Sequence, residues 1–240
     1  VTVIAFSHAL RERTRTIHGH TEGASFMQDL MSGKGSRKDY IALVVQHFYL
    51  YEALEAVAES MTDDPVARTF ITPQLTRIPA LVADLDFLLG PNWRSDCAPL
   101  PATTRYVERI REVSGWAGGF IAHHYTRYLG DLSGGQHIYK VMQKRFGFDT
   151  NGVGFYLFDQ IADPSAFKDT YRHQLDSVDW DDAERERVID EVMTAYRLNT
   201  AVFEDLSAAK AAAEKACQPC PKMPAEPGAA KLSRQLPRVN

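Results

Sequence analysis

The chain has 240 residues, enough for one good hydrophobic core or two modest ones. Hydrophobic residues make up 45% and charged residues 24%, which excludes wholesale disorder, a collagen-like repeat and a disulfide-stapled mini-protein. The 27 Lys and Arg against 31 Asp and Glu give a net charge of −4, a balance that argues against a dedicated binder of nucleic acid or anionic membrane. No window approaches about 18 consecutive apolar residues, so no transmembrane helix is expected. The apolar start, Val1 to Phe6, has neither a basic leader nor a cleavage site and is not read as a signal peptide. Three cysteines suit a reducing compartment, so the expectation is a cytoplasmic domain with no membrane and no nucleic-acid partner.

Ser7 is expected to cap a first helix that carries Leu10, Thr14 and Ile17 on one face. Ser36-Arg37-Lys38-Asp39 has the form of a capping box. It opens a long helix whose apolar stripe is Ile41, Val44, Phe48, Tyr51, Leu54 and Ala58. Asp63-Asp64-Pro65 interrupts. Leu75 to Leu89 reads as helix around Leu81, Leu85 and Leu88, and Pro91, Pro99 and Pro101 mark a loop before a helix over Thr103 to Val113. Val153 to Phe158 resembles a strand with nothing to pair with, so a loop is expected there. Asp163-Pro164 pairs an N-cap with proline at the first helical position. A last helix starts at Asp181-Asp182-Ala183-Glu184 and buries Val188, Val192, Ala195, Val202 and Leu206. The expected fold class is all-α, a single multi-helix domain over residues 1–207. Residues 208–240 are expected to prolong the last helix and then form a flexible tail, because prolines recur at 219, 221, 224, 227 and 237.

Two constellations carry chemistry. Arg11, Arg15, His18 and Glu22 recur at steps of 4, 3 and 4, which puts them on one helix face. Such a stripe can be a solvated face with ordinary ion pairs. His18, however, follows Ile17 and precedes the apolar pair Phe26-Met27, which places it at the edge of a core. A histidine with a carboxylate one turn away has the arrangement of a metal-bound imidazole, its second ring nitrogen fixed by the carboxylate. The arginines would suit an anionic group beside that metal.

The second constellation is the run Tyr125 to Gln136, which holds Gly130, Gly134 and Gly135. Each glycine costs about 1 kcal/mol relative to alanine in a helix interior. The run can end a helix at Gly130, or it can remain helical with a kink at Gly and Ser. A phosphate loop is disfavoured, because the Gly-Lys-Ser/Thr ending is missing. In the kinked reading Gly130 and Gly134 share a bare face that a flat ligand can approach, with Asp131 beside it. Together the constellations imply a flat, anionic, metal-containing ligand between two helices, a description that heme fits.

Over residues 6–207 the sequence resembles heme oxygenase, the biliverdin-forming enzyme family. The matches are Tyr125 to Gln136, Leu10 to Met27, the run Phe167-Lys168-Asp169-Thr170-Tyr171-Arg172, and the segment from Leu198-Asn199 to Leu206. The resemblance implies heme sandwiched between a proximal and a kinked distal helix. It implies His18 as the iron ligand and Glu22 as its hydrogen-bond partner. Arg11, Arg15, Lys168 and Arg172 would hold the propionates, with Tyr125 nearby. Gly130 and Gly134 would be the distal backbone, Asp131 with Arg127 would order distal water, and Tyr196 and Asn199 would lie beside the pocket. Arg11 and Arg15 stand where lysines are usual, and the membrane anchor of the animal enzymes is not expected here. The implied reaction uses heme as both cofactor and substrate, with O2 and electrons from a ferredoxin or an NAD(P)H-dependent reductase. Its products are biliverdin, CO and ferrous iron, and the expected state is a monomer. A non-catalytic heme-binding chaperone or sensor is the alternative, and a thiaminase-like enzyme of related fold is a more distant one. Of the other histidines, His123 and His124 are expected at the core edge or surface, and His8, His47, His137 and His173 have no ligand spacing. Cys217 and Cys220 form a CxxC read as an incidental or redox-active thiol pair.

Overall fold

A computed structural model describes residues 4–22 and 24–216, with the Glu22 side chain outside the described set. Cys217, Cys220 and the proline-rich tail lie outside the described residues as well. Among the described residues ten α-helices follow in order: α1 Phe6–Glu22, α2 Ser25–Ser32, α3 Arg37–Ser60, α4 Ile78–Leu89, α5 Trp93–Asp96, α6 Pro101–Glu112, α7 Ala117–Gly130, α8 Gln136–Phe146, α9 Pro164–Ser177 and α10 Asp182–Ala216. No strand occurs among the described residues, and the strand-like stretch after Val153 is a 3₁₀ turn at Gly154–Tyr156.

Local sequence accounts for several helix starts. The capping box forms as expected: Asp39 N–H donates to Ser36 Oγ, and Ser36 N–H donates to Asp39 Oδ2. Asp163 Oδ1 accepts from the N–H groups of Ser165 and Ala166, with Pro164 behind it. Pro101 is the first residue of α6 and not part of the loop before it, as suits a residue without an N–H. The expectation at Ser7 fails. Ser7 lies inside α1, and both its N–H and its hydroxyl donate to the Asp176 carboxylate of α9.

That contact belongs to a recurring device. Three helix N-termini receive a carboxylate from a distant part of the chain: α1 from Asp176, α6 from Asp205 at Ala102 N–H (2.7 Å), and α4 from Glu55, which accepts from the N–H groups of Arg77 and Ile78. Each carboxylate satisfies donors that the helix leaves open and sits at the positive end of its dipole. The fold is therefore stitched by tertiary caps between helices, as well as by apolar packing.

Helix α3 is the centre of the domain. It packs against α4, α6, α7 and α10, and α10 in turn lies along α1, α2, α6 and α7. With 35 residues α10 spans about 52 Å and braces both ends of the bundle. The expected stripe on α3 is buried at Val44, Phe48, Tyr51 and Leu54, but so are Leu43, Val45, Gln46, His47 and Leu50. Neighbours on several sides explain why burial exceeds one face. By length and composition alone α3 could cross a membrane; here most of it is buried inside the domain.

Asp84 on α4 organises the turn that reaches the interior between α8 and α9. Its carboxylate accepts from the N–H groups of Gly152, Gly154 and Phe155 at 2.7 to 3.0 Å. Burial pushes this carboxyl up from its ordinary value, against the pull of those three donors. Asp84→Ala would leave three N–H groups without their acceptor, each costing about 1–3 kcal/mol if it stays dry. The variant should lose at least about 2 kcal/mol in urea unfolding; an unchanged midpoint would mean that the turn does not depend on Asp84.

Candidate active site

The glycine-rich run forms a continuous rod from α7 to α8, joined by one π-helical turn at Asp131–Gly135. The kink expected at Gly and Ser is thus realised as a wider helical turn. Such a turn disrupts regular carbonyl pairing, and Lys168 on α9 fills part of the gap. Its ammonium donates to Leu132 O at 3.2 Å and to Ser133 Oγ at 3.0 Å.

A cleft of about 1030 Å³, counting the part open to solvent, lies along this rod. One wall is formed by Thr126, Arg127, Gly130, Asp131, Gly134 and Gly135; His18, Thr21, Met27 and Met31 of α1 and α2 contribute another. Tyr196, Asn199 and Phe203 of α10 line it too. A Cβ built on Gly130 or Gly134 would meet nothing within 4 Å, so the bare backbone borders open space. The His18 ring stands edge-on to the Tyr196 ring, with centroids 5.3 Å apart. A histidine, an open glycine face and a mainly apolar lining in one cleft are the features a planar metal macrocycle requires, and these residues fit heme.

Behind the glycines lies a buried polar network. The Tyr51 hydroxyl donates to Asp131 Oδ2. Arg127 donates through Nε to the Tyr51 hydroxyl at 3.3 Å and through Nη1 to Asn199 Oδ1 at 2.7 Å. Asp131 and Arg127, expected in one network, are linked through Tyr51, and Asn199, expected only beside the pocket, extends the chain of contacts. Tyr51 itself was missed: it reads as one more member of an apolar stripe. Burial, opposed by Arg127, by the Tyr51 hydrogen bond and by Arg77, pushes the Asp131 carboxyl up to about 6.

The remaining expected residues have partners outside the cleft. Arg11 and Arg172 both act on the phenol of Tyr125, which burial pushes up and the two cations pull down. Arg172 also pairs with Asp169 at 2.7 Å, and Arg15 lies near Glu12 at 3.5 Å on the surface. Arg11, Arg15, Tyr125, Lys168 and Arg172 do not line the cleft itself.

Two histidines differ from expectation. His123 and His124 are fully enclosed instead of lying at an edge: His123 Nε2 meets Glu191 Oε1 at 2.9 Å, and His124 Nδ1 meets the Tyr171 hydroxyl at 2.9 Å. Burial lowers the His124 pKa to about 3. Helix α7 is buried on nearly all sides, so its polar residues cannot reach water. His47, which has no ligand spacing in the sequence, lines the cleft.

The Asp131 pKa has a direct consequence. A carboxyl raised from 3.8 to about 6 binds its proton more tightly in the folded protein than in the unfolded chain. Its contribution is most favourable below the unfolded value and declines as pH rises through the folded one. Asp131→Asn, which cannot ionise, lacks that decline. The variant's Tm relative to wild type should therefore rise between about pH 4.5 and about pH 7.5 in the ligand-free protein. A Tm difference independent of pH would show a carboxylate ionised throughout.

Comparison with known proteins points the same way as the geometry. A family model described as heme oxygenase matches residues 4–205. Heme oxygenase 1 of Homo sapiens is 39% identical over 204 residues, covering 83% of this chain and 71% of that protein. Heme oxygenase 1 of the cyanobacterium Synechocystis is 36% identical over 198 residues, covering 82% of each chain. The crystal structure of heme oxygenase-1 from Synechocystis in complex with heme superposes with a TM-score of 0.83 at 34% identity, covering 89% of this chain and 97% of that one. With its all-helical fold, its cleft and this extent of similarity, the chain belongs to the heme oxygenase family.

Proposed function

We propose that the chain degrades heme to biliverdin, releasing CO and ferrous iron, with O2 and electrons drawn from a ferredoxin or an NAD(P)H-dependent reductase. The observation that carries this reading is the pairing of an open glycine wall with a buried carboxyl group beside it, across a cleft also lined by a histidine. Heme, when bound, supplies its iron for oxygen activation and its own ring as the substrate. A non-catalytic heme chaperone or sensor would use His18 and the arginines but has no use for Asp131 and its network.

His18 would hold the heme iron, with Glu22, one turn further along α1, as its hydrogen-bond partner; a neutral imidazole would donate less electron density to the iron than a thiolate. Gly130 and Gly134 let backbone approach the macrocycle where any side chain would hold it away. Arg11, Arg15, Lys168 and Arg172 are assigned to the propionates, with Tyr125 nearby, because cations suit carboxylates that stay partly solvated. The Tyr51 hydroxyl, directed at Asp131 Oδ2, leaves Oδ1 without a protein partner among the described residues. A water held at Oδ1 can receive or deliver a proton without a carboxylic acid pressing directly on the reacting oxygen. A carboxyl titrating near 6 suits that exchange around neutral pH. Arg127, fixed by Tyr51 and Asn199, sets the direction of the Tyr51 hydroxyl. The catalytic unit is taken as residues 1–207, acting as a monomer in the cytoplasm, with 208–240 as an extension.

Two substitutions test separate halves of the site. His18→Ala should abolish biliverdin formation and alter the heme spectrum, and added imidazole should restore turnover by filling the vacated position; normal turnover without imidazole would dismiss His18 as the ligand. Asp131→Ala should bind heme near normally, yet in the reaction of the ferric complex with hydrogen peroxide it should lose on the order of 10²–10⁴ in verdoheme formation. Efficient verdoheme formation by that variant would reduce Asp131 to a structural residue.

A further inference from the structure

The cleft lining holds two polar residues that the proposed function does not use. His47 on α3 and Tyr156 in the turn Gly154–Tyr156 both line the cleft and are 5% and 1% exposed. His47 Nδ1 and the Tyr156 hydroxyl are both buried without a hydrogen-bond partner among the described residues. The cleft wall also carries Met27, Leu43 and Ile138, and, among charged side chains, Arg127 and Asp131; none of these hydrogen-bonds to His47 Nδ1 or the Tyr156 hydroxyl. Both rings pack on Phe155, with centroids 5.1 Å from it for His47 and 4.7 Å for Tyr156. Phe155 also meets Tyr51 at 5.1 Å, which ties this corner to the Asp131 network.

A buried polar atom left dry costs about 1–3 kcal/mol, so two of them on one cavity wall call for an occupant. Burial, and then the nearby Arg127, hold the His47 pKa well below its ordinary value, so the ring is neutral. A neutral imidazole offers one donor and one acceptor, and a phenol offers one of each as well. That inventory matches water, which needs two to four polar partners in a cavity of sufficient size. An anion or a metal ion would find no charged group in this pair to hold it.

We propose that His47 and Tyr156 hold ordered water along the cleft wall, and that this water positions the proton-carrying water beside Asp131. The inference rests on the proposed heme-cleaving function for its second half only. His47 and Tyr156 are positioning residues: they act on the reaction through water and through the Asp131 network. They differ from Tyr51 and Arg127, whose hydrogen bonds to that network are direct.

The test has a structural arm and a functional arm. A high-resolution crystal structure of the full-length, heme-free protein should show water within hydrogen-bond distance of His47 Nδ1 and of the Tyr156 hydroxyl. A dry corner would overturn the proposal, whatever the protein does with heme. In the heme-loaded protein, His47→Leu and Tyr156→Phe should each lower the biliverdin formed per heme consumed by about tenfold, below the full effect of losing positioned proton transfer. Their heme affinity should stay near that of wild type. His47→Gln, which keeps a donor and an acceptor, should recover most of the yield if the site works through hydrogen bonding. Equal loss in His47→Leu and His47→Gln would show that ring packing alone matters, and unchanged yield in both His47→Leu and Tyr156→Phe would also refute the proposal. If wild type itself forms no biliverdin, the heme-cleaving function fails and the positioning role with it, while the water site is still decided by the crystal structure.

Discussion

Asp131 is a carboxyl group placed where bulk water hardly reaches it, and the architecture around the cleft is organised to make that tolerable. A carboxylate withdrawn from water loses solvation worth several kcal/mol unless other groups replace it. Here the replacement comes from three other helices: the Tyr51 hydroxyl of α3 donates to it, Arg127 of α7 supplies a nearby positive charge, and Asn199 of α10 fixes the arginine. The compensation is incomplete, which is why the group titrates near neutral pH. That incompleteness is useful, because a fully compensated carboxylate would hold no proton to give.

The same constraint explains the helix that carries it. Asp131 begins a π turn, with Gly130 before it and Gly134 within it, so the side chain turns inward while the backbone on the cleft side stays bare. Glycines that weaken a helix in isolation are retained here by packing: α7 is buried along most of its length, and Lys168 supplies hydrogen bonds to the turn. The price in local helix stability is offset by tertiary contacts with α3 and α10. Helix α10 matters twice, bracing the bundle and delivering Tyr196, Asn199 and Phe203 to the cleft.

Much of this was legible in the sequence, for physical reasons that differ from element to element. Caps made by neighbours in sequence, such as Ser36 with Asp39 and Asp163 with the residues after Pro164, read directly because both partners lie within one turn. Caps made across the fold do not: nothing near Ser7 announces Asp176, and nothing near Ala102 announces Asp205. The His18 stripe and the glycine run were visible because rare residues at helical spacing stand out against ordinary composition. Tyr51 and His47 were invisible for the opposite reason. In an amphipathic pattern a tyrosine passes for an apolar residue, and a histidine on a long helix passes for a surface one. Only the packing of other helices around α3 shows that Tyr51 meets Asp131 and that His47 borders the cleft. The histidines at 123 and 124 misled similarly, since the local sequence cannot tell how many sides of α7 are covered.

The central claim is that the cleft between His18 and the Gly130–Asp131 wall takes heme as a substrate to be cleaved. It is tested most directly by loading the full-length protein with hemin, supplying O2 and a generic electron source, and separating the products by chromatography. The account predicts a Soret band on loading, its loss during turnover, and a biliverdin isomer as the bilin product. Heme recovered intact after sustained reduction in oxygen would contradict it and leave a protein that binds heme without cleaving it.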